Sequence, residues 1–307
     1  MDAQKLKEAL LLRMASGKDH PSLAAVEGFE KLGDEGLPFA MVEAGVLLLR
    51  RQGKSTDRER ARHLFDRAAE SGHPFAFYNQ AYLHFEDGNY ERAVPLFHRA
   101  ASLGVPQAMT YLGIIRIRNR TEQRHIEEGS DWFMAAALYG DPLGIVQLSM
   151  LIRKKEQLDL DHGFIERNLR ENASRGHVES MFELGLLFYD GCLNGIFSQY
   201  RAIRWASRAA KSGLVAAQLW VGEQLVARSP WPWRRRHGIA WLEEAANAGN
   251  PIAKWRIVEF LGTGRYVPAD RERAVYWARN LAATGHERAE EFLKWQGGTV
   301  LGSHSSQ

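Results

Sequence analysis

Eight glycines, Gly36, Gly72, Gly104, Gly140, Gly176, Gly213, Gly249 and Gly285, follow one another at intervals of 36, 32, 36, 36, 37, 36 and 36 residues. A period of this size confines a chain to stacked supersecondary units, because no single unit of that length buries its own apolar face. Three residues before the last seven glycines stand Ala69, Ala101, Ala137, Ala173, Ala210, Ala246 and Ala282. A position that is always alanine is expected to tolerate no bulk. Eight residues before the same glycines stand Leu64, Leu96, Trp132, Asn168, Trp205, Trp241 and Trp277, large and apolar in six of seven, which reads as a knob facing a core. Fifteen before stand Asp57, Asn89, His125, Asp161, Ser198, Arg234 and Asp270, of which five can accept the free N–H groups of a helix start. A cap, an apolar stripe and a closing glycine predict a helix of about four turns ending in a left-handed residue.

The stretch after each glycine predicts a second helix. Pro38, Pro74, Pro106, Pro142 and Pro251 lie two residues past their glycines, where proline suits a first helical turn. Nine residues past the first seven come Gly45, Ala81, Gly113, Ser149, Gly185, Gly222 and Val258, small in six of seven. Glycine in mid-helix costs about 1 kcal/mol against alanine, so its recurrence indicates a close helix crossing. No run alternates with the period of two that a half-buried strand requires. The expected fold is all-α, a right-handed superhelical solenoid of antiparallel helix pairs. Residues 20–296 form about seven units, 1–19 an N-terminal helix or cap, and 297–307, "GGTVLGSHSSQ", a flexible tail.

Composition adds exclusions. Forty Lys and Arg against 37 Asp and Glu leave a net charge of +3 over 307 residues, too mild to argue for a nucleic-acid or membrane partner. The single cysteine, Cys192, has no intrachain partner for a disulfide or a metal cluster and reads as an inert thiol. The N-terminal apolar run Ala9 to Leu12 is broken by Arg13 and is too short for a signal-peptide core, and no window approaches a membrane span. No lipobox is seen, and a cytoplasmic location is expected.

Several quoted stretches together resemble the Sel-one-like repeat family of the tetratricopeptide-like solenoids. They are Leu112-Gly113, Leu184-Gly185, "LGTGRYVPADRERAVYW" at 261–277 and "AIRWASRAAKSG" at 202–213. The unit from Gly72 to Gly104, with its shortened loop "EDGNYERA", and the unit carrying Asn168 in place of Trp depart from the pattern. The resemblance implies a bacterial, non-enzymatic scaffold or adaptor that takes a peptide or protein in a concave groove. Alternatives are an immunity or regulatory protein that masks one effector, and a hydrolase built on a repeat scaffold. By resemblance to tetratricopeptide grooves, positions three, six, ten and thirteen after each glycine face that groove. They include Phe75, Tyr78, Tyr82 and Phe85, then Thr110 and Ile114, then Met150 and Arg153, then Phe182 and Tyr189, and last Trp255 and Glu259. Aromatics and arginine anchor interfaces. The same spacing equally fits packing between units.

Local motifs do not support catalysis. "GKST" at 53–56 lacks the first glycine of a phosphate-binding loop, with Leu48 in its place, and "GTG" at 262–264 falls in the loop of its own unit. His73, His177 and His286 each follow a periodic glycine, and no His-Glu-x-x-His exists. No catalytic residue, metal or cofactor is assigned.

One stretch breaks the pattern: "ARSPWPWRRRHGIAW", 227–241. The period aligns Trp231 with Val267, which predicts an inward ring, and Trp233 with Ala269, which predicts an exposed one. Arg234 aligns with the capping Asp270, so Arg234, Arg235 and Arg236 open a helix where its dipole disfavours cations by about 0.3 to 1 kcal/mol each. An acidic partner, a phosphate on the free N–H groups, or Glu243 and Glu244 would offset that cost. A solvated loop and a protein or anion contact both fit. Three arginines are too small a footprint for nucleic acid.

Overall fold

A computed structural model describes residues 8, 11–13, 22–51, 55–118, 122–156, 158–193 and 197–302, with side chains described up to Gln296. Every regular element among these residues is a helix. The chain divides into two compact parts, residues 1–148 and 149–307, each taken by itself below.

In the first part, α1 (Leu23–Asp34) ends at Gly36 and is followed by the pairs α2 (Pro38–Arg50) with α3 (Ser55–Glu70), α4 (Pro74–Glu86) with α5 (Tyr90–Ser102), and α6 (Pro106–Arg118) with α7 (Gln123–Leu138). The division falls inside α8 (Pro142–Arg153). The second part continues with α9 (His162–Ser174), then α10 (Val178–Asp190) with α11 (Gln199–Lys211), α12 (Val215–Arg228) with α13 (Pro232–Asn247), and α14 (Pro251–Thr263) with α15 (Arg271–Ala282), and closes on α16 (Glu287–Gly302). In every pair the first helix follows a periodic glycine and the second runs to the next one. Seven such pairs lie between Gly36 and Gly285. Helices adjacent in sequence pack on one another from α1 to α7 and from α9 to α16, and first helices of successive pairs also touch, as α2 does α4 and α12 does α14.

The turns explain the period. All eight glycines have φ between +75° and +92°, the left-handed region that costs an L side chain about 1 to 2 kcal/mol. At Gly213 the glycine N–H donates to Ala210 O (3.0 Å) and the next N–H, of Leu214, reaches back to Ala209 O (3.1 Å). This double closure satisfies the last carbonyls of the helix. A Cβ at Gly213 would meet nothing within 4 Å, so backbone conformation alone demands glycine there. Gly213→Ala is therefore expected to cost about 1 to 2 kcal/mol without disturbing packing. Urea denaturation checks it, and an unchanged midpoint would remove the conformational argument.

The five prolines open α2, α4, α6, α8 and α14 as anticipated. Four of the five expected caps form: Asn89, Asp161, Ser198 and Asp270 each accept from the backbone N–H three residues on. Asp57 does not cap, because α3 starts at Ser55; it lies 3.5 Å from Arg51 Nε. The helices α3, α7 and α13 have 16 residues where the other second helices have 12 or 13. These are the units in which position fifteen is Asp57, His125 or Arg234, and each helix starts two residues before it.

The burial phase differs by one residue from the expected one. The innermost large residues stand seven before the glycines: Phe65, Phe97, Phe133, Leu169 and Leu242 are at most 1% exposed. At position eight only Leu64 and Trp277 are buried, while Leu96, Trp132, Asn168, Trp205 and Trp241 are half-buried. In the alanine column Ala101, Ala173, Ala210 and Ala246 at position three are buried as expected and Ala69, Ala137 and Ala282 are half-buried, while Ala68, Ala100, Ala136, Ala209 and Ala245, four before, are all 0% exposed. Burial of each phenylalanine contributes about 1.5 to 3 kcal/mol.

The two anticipated irregularities are local. In the short unit, Gly88 (φ +74°) and the capping Asn89 make the turn between α4 and α5, and Pro95 lies inside α5. Asn168 keeps its amide satisfied by donating to Phe164 O (2.9 Å), and Lys155, just after α8, has φ +56°. At the chain ends, Leu12 packs under Gly28, and the rest of the 1–19 segment falls largely outside the described residues. The expected tail boundary at Gly297 is overrun by α16, which continues to Gly302; residues 303–307 lie outside the described residues.

Candidate functional site

The first helices of the first part carry a layer of rings. Tyr78, Tyr82 and Phe85 project from one face of α4, the first two with ring centroids 6.3 Å apart. Tyr111 of α6 inserts among them, 6.0 Å from Tyr78, 5.5 Å from Tyr82 and 5.0 Å from Phe85, and stacks at 6° on the buried Phe97. Phe75 ends the row with 44% of its surface exposed. Phe85 also meets Tyr90, and the Arg118 guanidinium lies 4.6 Å over that ring. Burial pushes the Tyr78 hydroxyl well above the usual phenol range and the Tyr82 hydroxyl up to about 12, the latter helped by its bond with Glu86. These phenols stay neutral near pH 7 and can serve as donors and acceptors. Thr110 belongs to the core, not the face: it is 0% exposed and donates its hydroxyl to Asp141, whose other oxygen caps the start of α8 at Leu143 N (3.2 Å).

In the second part the same positions are more polar. Arg153 of α8 donates to Asp190 Oδ2 (2.7 Å) and Glu183 Oε2 (3.2 Å) on α10. The Ser149 hydroxyl donates to the same Glu183 oxygen at 3.2 Å. Phe182 and Tyr189 face Trp220 of α12 at 6.2 and 5.2 Å, and Arg228 lies over Tyr189. Trp255 stacks on His286 at 5.4 Å, and Glu259 accepts from Arg256 Nη1 (2.8 Å), whose Nε reaches Glu223 (2.6 Å). Arg153 and Glu259 are thus engaged in intramolecular ion pairs. Met150 is exposed.

The expected face omitted one position. Tyr111, Glu183, Trp220 and Arg256, seven residues after their glycines, are the residues that reach back to the preceding first helix. A helical wheel at 3.6 residues per turn places position seven beside positions three and ten, and that was the available signal.

Glu183 is 4% exposed. Burial raises its carboxyl above the usual carboxylate range, and Arg153 and Ser149 bring it back only in part. The folded chain therefore holds this proton more tightly than the unfolded one. Its contribution favours folding in acid and is lost as pH rises from about 4.5 through the raised folded value. Glu183→Gln is expected to gain stability relative to the parent as pH rises from about 4 to about 7. Denaturant melts at both pH values check the sign; a variant that falls further behind at neutral pH would show that the ion pair outweighs burial.

The basic stretch splits into separate roles. Contrary to expectation Trp231 does not point inward: it precedes the first residue of α13 and is 56% exposed, about as much as Trp233 at 55%. Arg234 is the third residue of α13, not its cap, so an Asp there would favour the helix dipole without restoring a capping bond. Arg235 ties the stretch down, donating to Ser229 O (2.7 Å) and Tyr266 O (2.9 Å). Arg234 lies 5.2 Å over the Trp233 ring, and Arg236 lines a cleft with Glu243 and Asp270.

His177 and Gly264, both singled out in the sequence, have structural roles. His177 Nδ1 accepts from Ser180 N at the start of α10, and Gly264 (φ +66°) closes α14. Burial, with Asp190 nearby, pushes the half-buried Cys192 thiol up. Among the described residues no three His, Cys, Asp or Glu side chains converge as metal ligands, and no helix is long and apolar enough to cross a membrane.

Comparison with known proteins agrees with this architecture. Sel1 repeats are matched at residues 38–73, 78–105, 178–214, 235–250 and 259–286. An uncharacterized protein of Neisseria meningitidis is 26% identical over 80% of this chain and 50% of its own length. Chitin synthase regulatory factor 3 of Schizosaccharomyces pombe is 26% identical over 85% of this chain and 29% of its own. The chain thus spans half or less of the length of these relatives. Among solved structures, a Sel1 repeat protein from Oxalobacter formigenes superposes with a TM-score of 0.59 at 20% identity, covering 95% of this chain and 86% of that one. An immunity protein of Pseudomonas aeruginosa gives a TM-score of 0.50 at 17% identity, covering 69% of this chain and 82% of that one.

Proposed function

Because this chain belongs to the Sel1 repeat family, whose members generally mediate protein–protein interaction, we propose that it is a non-catalytic scaffold docking a protein or peptide partner on the face made by its first helices. The supporting observation is the ring layer of Tyr78, Tyr82, Phe85 and Tyr111, which stays half-exposed although each ring packs on its neighbours, with the exposed Phe75 at its edge. Rigid aromatics lose little rotamer freedom on binding and commonly dominate interface energies. The ion pairs of Arg153 and Glu259 leave the second part less able to supply such anchors.

The test is affinity capture on the immobilised full chain, followed by titration of the captured partner against variants. Phe75→Glu, which changes an exposed ring, is expected to weaken binding by about tenfold or more, and Tyr82→Ala likewise, while Arg234→Glu changes it little. Captured partners that all bind Phe75→Glu and Tyr82→Ala as tightly as the parent would overturn the assignment. The narrower reading, an immunity or regulatory protein, would be recognised in the same experiment by one partner whose activity the chain suppresses.

A further inference from the structure

Successive second helices lie side by side, and in two places an arginine bridges the cleft between them. Arg60 of α3, twelve residues before Gly72, binds both oxygens of Glu30 of α1, six before Gly36, at 2.8 and 2.6 Å. Arg273 of α15, twelve before Gly285, reaches Glu243 of α13, six before Gly249. Between α11 and α13 the same two positions hold Ser207 and His237, and no such bridge forms. A groove of about 770 Å³ opens there instead.

Its floor is apolar, from Ile203, Leu225 and Trp241, and its rims are two exposed rings, Tyr200 (72%) and Trp233 (55%). Three permanent cations line it, Arg204 and Lys211 from α11 and Arg234 from α13, against one carboxylate, Glu244. None of the three makes an ion pair with a described residue, whereas Arg170 of α9, Arg256 of α14 and Arg273 of α15 do. Arg235 holds the rim in place through its two carbonyl bonds and is not available to a ligand. The groove therefore offers a volume in the range that encloses small ligands, aromatic walls and unneutralised positive charge.

We propose that this groove is a second docking surface, separate from the first-helix face, for an acidic peptide segment carrying a bulky apolar side chain. The apolar side chain seats on the Ile203 and Trp241 floor between the two exposed rings, and carboxylates on either side answer Arg204, Lys211 and Arg234. A polyanion is a poorer fit. Nucleic-acid binding proteins typically neutralise about six to ten phosphates, and here three cations share the groove with a carboxylate.

A phage-displayed library of random peptides about twelve residues long, panned on the full chain, tests this without assuming a sequence. Panning is run in parallel on the charge-reversed variant Arg204→Glu, Lys211→Glu, Arg234→Glu, with circular dichroism melts confirming its fold. The milder Trp233→Ala serves should the triple variant not fold. The expected result is enrichment, on the parent only, of peptides rich in Asp and Glu around an aromatic or leucine. One such peptide, synthesised, should lose about tenfold in affinity with either variant, weaken with added salt, and bind Phe75→Glu as it binds the parent. No peptides that distinguish the parent from the variants, or enriched peptides that are neutral or basic, would overturn the proposal. So would an oligodeoxythymidine of about twelve nucleotides that binds more tightly than the peptide and depends on the same cations.

Discussion

Replacing Gly222 by leucine is expected to cost the second part of the chain about 3 kcal/mol, and Gly113→Leu to cost the first part a similar amount. At both places a first helix crosses a second helix backbone to backbone. A Cβ on Gly222 would stand 2.9 Å from Gly238 O and 2.7 Å from Leu242 Cγ, and one on Gly238 would stand 2.8 Å from Gly222 O. The Gly113 and Gly129 crossing repeats the arrangement, with 2.9 and 3.2 Å to the facing carbonyl oxygens. A side chain could rotate out of the way; a helical carbonyl cannot do so without giving up its own hydrogen bond. The alanine variants give the sharper test, because helix propensity alone predicts a gain of about 1 kcal/mol for Gly222→Ala. The crossing predicts a loss. Urea denaturation that showed Gly222→Ala to be more stable than the parent would mean that the two helices separate at little cost.

The second large effect is expected at Ala136 and Ala209. Both are 0% exposed, and Ala136 O and Ala209 O accept the N–H groups of Asp141 and Leu214 across the left-handed turns. Leucine at either should cost about 2 to 3 kcal/mol by overpacking. Ala210, 1% exposed, should follow closely, and the half-buried Ala137 should lose less than about 1 kcal/mol. The measurement is a rank order of denaturation midpoints. Ala137→Leu falling as far as Ala136→Leu would contradict the burial phase described above.

That phase marks where the sequence stopped being legible. The period, the proline starts, the left-handed glycines and the small residues of the first helices could all be read because one residue type recurs in a column. The tryptophan column at position eight attracts the eye but is mostly half-buried, since an indole packs its body while its N–H keeps a route to a partner or to water. The inner column at position seven changes from Phe65, Phe97 and Phe133 to Leu169, Ala206, Leu242 and Ala278, so no signature betrays it. Of the candidate site, the ring row from Phe75 to Phe85 could be found, whereas Tyr111, which knits it together, shares its column with Glu183, Trp220 and Arg256. Trp231 departs from its expected place because alignment by period assumes equal helix starts. Starting α13 at Pro232 moves the ring outside the helix, into the place a cap would take.

The left-handed turns also bear on how such an array can change length. At seven of the eight, Gly285 excepted, the glycine N–H and the N–H after it both return to carbonyls of the helix just ended, and a Cβ at any of the eight glycines would meet nothing within 4 Å. Little at the join identifies which unit follows; at Gly213 the exception is the Gln218 amide of the next helix, which donates to Ala210 O (3.3 Å). Cutting the chain at two of the seven doubly closed glycines and rejoining it leaves these backbone closures available at the join, so whole periods can be removed or added as cassettes. What decides whether the shortened array holds together is the residue seven places past the new join. Excising Gly104 to Tyr139 would bring Gln147 to the ring row of Tyr82 and Phe85 in place of Tyr111.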